Sequence, residues 1–330
     1  QAVSGSGGAV GAAAAVANTS NASSTRAEVA TGGAGLTTGA LTVSASHTAD
    51  FDGSVDSIKA SVLGGSGAVA HHTVDAGVHA GVAGGAKITT RDFSLLASNV
   101  SRKTYFSDRS FQIEAGSGGV LDGAAASSSS EIDHETIASV GQGATVNVEG
   151  SWTDPGRTDI VAVNAVQARD RVRLDAGGAI SVALAESVVN AGLKSEALVG
   201  AGASIHTVGT LNLGTRTDTD IETSANAKTY GLASAAAGLS QSSVSAVERV
   251  IVGQGATIYT EGDANFYAGR DAAGRDNAIR SVARTDLFNK TAYPIGNLPE
   301  ANASVSRNAF VEIAGGATVR TVGDIYLLTD

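Results

Sequence analysis

The side chains able to do chemistry in this 330-residue sequence recur at even spacings. In "AHHTVDAGVH", His71, Asp75 and His79 combine imidazole and carboxylate, the ligand types of a transition-metal site. On a strand, however, residues four apart are separated by about 13 Å. One ion would therefore need ligands from neighbouring segments, and the plainer reading is a solvent-facing row. Asp218, Asp220 and Glu222, like Glu131, Asp133 and Glu135, also alternate. Clustered carboxylates cleave glycosidic bonds or hold Ca²⁺, yet a solvated strand face presents the same pattern. In "QARDRVRLD", Arg169, Arg171 and Arg173 share a face that could dock an acidic polysaccharide. The competing expectation is that acids on an adjacent segment pair with this row. Cysteine is absent, which removes disulfides and thiolate chemistry. No cofactor and no metal site is expected.

These spacings require strands beneath them. In "LNLGTRTDTDIETSANAKTYG" (211–231), Leu211, Leu213, Thr215, Thr217, Thr219, Ile221, Thr223, Ala225, Ala227 and Thr229 alternate with Asn212, Arg216, Asp218, Asp220, Glu222, Asn226 and Lys228. In 180–199, Ser181, Ala183, Ala185, Ser187, Val189, Ala191 and Leu193 form a small-residue face opposite Glu186, Asn190 and Lys194. A period of two held this long is a strand signal, and a helix would mix the two sets. Val and Thr favour strand, and 42 glycines oppose long helices.

One phrase returns between these segments. It reads "VGQGATVNVEG" at 140–150, "VGAGASIHTVG" at 199–209, "VGQGATIYTEG" at 252–262 and "IAGGATVRTVG" at 313–323, with degenerate copies at Gly33–Ala34 and Gly85–Ala86. The later pairs are Gly143–Ala144, Gly202–Ala203, Gly255–Ala256 and Gly316–Ala317, and successive alanines lie 52, 58, 59, 53 and 61 residues apart. Such a period marks a repeat architecture whose unit cannot bury its inner face alone. Two long segments and one short strand per repeat, stacked in parallel, form a right-handed parallel β-solenoid, all-β and continuous over 1–330. Glycine is expected to turn the corner, and Ala to fit beneath the same residue of the next coil. The small inner residues favour one wide, flattened coil per repeat over two narrow ones. Six such coils make a stack about 29 Å tall. Residues 270–300 hold Pro294 and Pro299 and are expected to leave the solenoid as a loop, carrying exposed Phe288, Tyr293 and Leu298 as candidate contacts.

Composition narrows the partners. The net charge of −10 argues against nucleic acid, and no uninterrupted apolar run is long enough to span a membrane. Aromatics are only 4%, so the core is thin and made mainly of Ala and Val. Without a Met anywhere, the chain reads as an internal segment of a longer one.

The Gly-Ala phrase, the Ala/Val/Ser/Thr/Asn-rich intervals and the missing Cys resemble the repetitive shafts of large secreted bacterial exoproteins, the filamentous-haemagglutinin-like two-partner-secretion adhesins and autotransporter-like adhesins. That resemblance covers essentially the whole chain. It implies an extracellular, cell-surface rod that attaches to a matrix or cell-surface polysaccharide or protein, or to itself, without catalysis. The alternative is a carbohydrate-active β-helix, a polysaccharide lyase or hydrolase. That reading demands a groove lined by carboxylates, Arg or Lys, and aromatic platforms, for which the chain offers a single Trp, Trp152.

Overall fold

The computed structural model describes residues 1–103, 112–151 and 154–329; Trp152 lies outside them. Fourteen strands follow one another, with no helix among the described residues: β1 (Ala2–Val29), β2 (Leu36–Phe51), β3 (Val55–Val82), β4 (Lys87–Lys103), β5 (Ile113–Val140), β6 (Thr145–Val148), β7 (Arg157–Val199), β8 (Ser204–Thr207), β9 (Thr210–Val252), β10 (Thr257–Thr260), β11 (Ala264–Ala268), β12 (Ala278–Ile313), β13 (Thr318–Thr321) and β14 (Ile325–Thr329). The ladders between them are parallel and join one sheet.

One sequence repeat makes one coil. Ala2 pairs with Val55, Val55 with Ile113, Ile113 with Val172, Val172 with Ala225 and Ala225 with Thr285, so successive coils are 53, 58, 59, 53 and 60 residues long. Within β7 the chain runs out along 157–178, turns at Gly177–Gly178, and returns along 180–199. The two long runs face each other: Asn164 Nδ2 donates to the Lys194 carbonyl at 2.9 Å, and Ser187 Oγ to the Asp170 carbonyl at 3.1 Å. A run of some 20 residues extends about 66 Å, so each coil is broad and thin. The outward-and-inward alternation read from 181–199 and 211–229 holds, with every inward member of both runs buried.

At one end of the flattened coil, the short strands β6, β8, β10 and β13 close a triangular cap. The recurring phrase builds its corner. Gly85, Gly143, Gly202, Gly255 and Gly316 have φ between 63° and 75°, and the alanine that follows each donates its N–H to the carbonyl three residues earlier. Positive φ at the third position alone, with that bond, describes a type II turn, which selects glycine. Ala144, Ala203 and Ala256 beneath are almost wholly buried. The degenerate second copy builds the same corner. In the first, positive φ falls at Gly32 and Gly35 instead of Gly33. At the opposite end the backbones touch: a Cβ on Gly231 would lie 1.8 Å from the Gly178 carbonyl oxygen.

Three apolar clusters fill the interior. The first occupies the triangular cap, with the column Ile88, Val146, Ile205, Ile258 and Val319 in register. The other two lie along the flat body, one around Ile132, Val166 and Ile221, the other around Ile113, Val172 and Ala225. Between them run buried polar layers, which order the interior into alternating compartments.

Residues 270–300 correct one expectation. Only 269–277 leave the ladder, as a tight loop held by Asp271. Residues 278–300 belong to β12, which pairs with β9 along its whole length. Pro294 and Pro299 fit because, among the described residues, β12 is paired on one side only, where alternate N–H groups have no ladder partner, and a register shift between Pro294 and Gly296 absorbs one residue.

Candidate binding faces

The outer surface carries two chemically distinct faces. Arg169, Arg171 and Arg173 point outward from the first run of β7. Arg169 lies 4.0 Å from Asp220 and Arg171 3.4 Å from Glu222, both on the next coil, while Arg173 pairs with Asp175 at 2.9 Å. The coil beyond adds Arg280, 2.5 Å from Asp220, and Arg284, 3.6 Å from Glu222. Asp218 is held by Arg216 at 3.3 Å. The arginine row and the carboxylate row read separately from the sequence are thus the two sides of one ionic ladder running along the stack. Pairs of this exposure contribute little to stability individually.

The apolar face lies along the glycine end. Val10, Leu63, Leu121, Ile180, Ala233 and Tyr293 stand one above another in register. Val182 and Leu184 flank Ile180 on the same face, each about half exposed. Tyr293 and Leu298, at 73% and 75% exposure, extend this stripe to the last coil. Phe288 projects from the opposite broad face, where its ring tilts against Tyr230 at 5.8 Å. The structure therefore unites Tyr293 and Leu298 and sets Phe288 apart.

His71, Asp75 and His79 also face outward. His71 shares a hydrogen bond with Ser129 and His79 with Ser139, both at 2.7 Å and both on the next coil. Burial lowers the His79 pKa, with Arg26 adding to the effect. Nearby, Gly192 leaves a notch lined by Asp133, Glu135, Lys194 and Arg249. Burial raises the Asp133 pKa there, helped by Glu131 and Asp75, while Glu135 is tied to Lys194 at 2.8 Å.

Reasoning from composition missed the chemistry of the interior. One polar layer joins Asn99, Ser101, His134, Thr136, Asn164 and Ser195, closed at the last coils by Glu248 with Arg307 and Asn277. A second holds His72, Lys103, Ser128, Ser130, Asp170 and Ser187. A third, at the glycine end, contains Lys59 and Asp122, 3.5 Å apart with both side chains wholly buried. Burial pushes the His134 imidazole down to about 4 and the His72 imidazole down to about 3, the latter assisted by Lys103. Parity was the available signal: Lys103 shares the inward set of Leu95 and Ala97, and Asp170 that of Ala168 and Val172.

The geometry defines the class as a parallel β-solenoid with one wide coil per repeat. No family model, no curated protein and no solved structure matches the chain.

Proposed function

We propose that this chain is the shaft of an extracellular bacterial adhesin, a rigid stalk that also presents contact surface for cell–cell, matrix or host attachment. The observation that carries this reading is the apolar stripe from Val10 through Leu63, Leu121 and Ile180 to Tyr293, continuous across stacked coils at an exposed edge. Exposed apolar patches of this extent mark contact sites on soluble surfaces. The in-register ladders supply stiffness, and the ionic face keeps the rod hydrated. Asp218, Asp220 and Glu222, the carboxylates a carbohydrate-cleaving reading would use, are engaged by arginines, which favours the structural role.

The test is binding of the purified chain to whole cells and to a glycan array, with release of reducing sugar measured in parallel. Binding without sugar release, weakened at least tenfold by combining Ile180→Ser, Val182→Ser and Leu184→Ser, is the expected result. Released sugar overturns the proposal. Binding unchanged by these substitutions removes the stripe as the contact.

A further inference from the structure

The second interior layer contains a reactive pair. Lys103, near the end of β4, lies opposite Ala168 of β7, so Asp170 is its diagonal neighbour on the adjacent coil. Both side chains are wholly buried, with Nζ 2.5 Å from Oδ1. Nζ also donates to Ser130 Oγ at 2.8 Å and Ser128 Oγ at 3.2 Å. Ser128 Oγ in turn donates to Oδ1 at 2.7 Å, and Ser187 Oγ to Oδ2 at 2.9 Å. An amine is thus fixed against a carboxyl group whose two oxygens each accept a hydroxyl, inside a compartment bounded by the apolar clusters.

We propose that Lys103 and Asp170 join in a self-formed isopeptide bond that covalently ties two neighbouring coils. A proton passes from the Lys103 ammonium, directly or through Ser128 Oγ, to the Asp170 carboxylate, leaving an amine and a carboxylic acid. The Nζ lone pair attacks Cγ, and the charge developing on Oδ2 is met by the Ser187 hydroxyl, placed as an oxyanion-hole donor is placed, while Ser128 stays on Oδ1, the protonated oxygen that leaves. A second Nζ proton moves to the departing hydroxyl, the C–O bond breaks and water leaves. Ammonium and carboxylate become one neutral amide and one water, so no oxidant, metal or co-reactant is needed. Two physical terms favour the reaction. Fixed contact replaces a bimolecular encounter, and the amide removes two charges from a site where charge is costly.

Lys59 and Asp122 provide an internal comparison. They are equally buried, but stand 3.5 Å apart, and among the described residues neither has a hydrogen-bonding hydroxyl to relay a proton or polarise the carboxyl. This pair is expected to stay ionic.

The decisive measurement is the intact mass of the purified, denatured chain, followed by tryptic peptide mapping. The expected mass is one water below that of the sequence, with the peptides containing Lys103 and Asp170 recovered as a branched product. Asp170→Ala and Lys103→Met should each restore the full mass. An unmodified mass for the native sequence overturns the proposal without reference to any variant, as does a lost water that maps elsewhere. Adhesion is not part of this readout, so the cross-link and the shaft reading stand or fall separately.

Discussion

Two glycines in the phrase "GAGASIHTVG" are required for different reasons, and their substitution separates turn strain from stacking. Gly202 has φ of 63° and nothing within 4 Å of the place a methyl group would occupy, so alanine there meets only the left-handed backbone. That strain costs about 1–2 kcal/mol. It is partly offset by the stiffer unfolded chain, worth about 0.4–1 kcal/mol. The net expectation for Gly202→Ala is about 1 kcal/mol, and Gly202→Asn, which tolerates this region, should cost less. Gly209 is the opposite case. Its backbone is not left-handed, but a Cβ would lie 1.7 Å from the Gly156 carbonyl oxygen, whereas ordinary contact begins near 3.4 Å. The coils would have to part locally by over an ångström. The Val208 N–H bond to the Val148 carbonyl and the first β7–β9 ladder bonds, where Arg157 to Asp159 pair with Thr210 to Asn212, lie in the opened seam, while the bonds that Gly209 O accepts from Gly262 N and Thr260 Oγ1 hold it to the following coil. At about 1 kcal/mol or more for each buried bond lost, Gly209→Ala should cost about 3 kcal/mol. Urea denaturation followed by far-UV circular dichroism measures both. If Gly202→Asn proves as damaging as Gly209→Ala, or Gly209→Ala no worse than Gly202→Ala, the division between turn and stack is wrong.

Three further outcomes follow from the interior and the ends. Ile205→Ala, in the middle of the cap column, should lose about 2–5 kcal/mol in the same denaturation assay. His134 binds protons more weakly folded than unfolded, so its stabilising effect is complete above the ordinary histidine pKa of 6.5 and declines as pH falls towards about 4; His134→Gln should therefore lose less of its urea midpoint between pH 7 and pH 4.5 than the native chain. In the last coil, Val305 and Leu327 are half exposed although they continue buried columns, so amide exchange should be fastest in β12 to β14 and slowest in β7 and β9.

Much of the fold was legible because inward and outward residues alternate without interruption over long runs, as in 181–199 and 211–229. The corner was legible because glycine and alanine repeat where one turn type repeats. The 270–300 segment was misread because proline was weighed against an interior ladder, while among the described residues β12 is paired on one side only. Among the candidate contacts, Arg169 and Arg171 could be placed on a face, but their partners on the next coil depend on which residues fall in register fifty-odd positions later. Lys103 and Asp170 were overlooked because charged residues were sought on the outer parity alone.

The alternating compartments of the interior bear on how the chain finds its alignment. Inside–outside parity forbids a slip of one residue between coils but is blind to a slip of two, which keeps every side chain on its proper face. In a Gly- and Ala-rich stack such a slip would meet little steric resistance. It would, however, carry Asp170 to the level of Val172 or Ala168 and slide Asn164 away from Ser195. The buried polar layers therefore act like the wards of a lock, admitting one translational setting among several that the apolar pattern alone would accept.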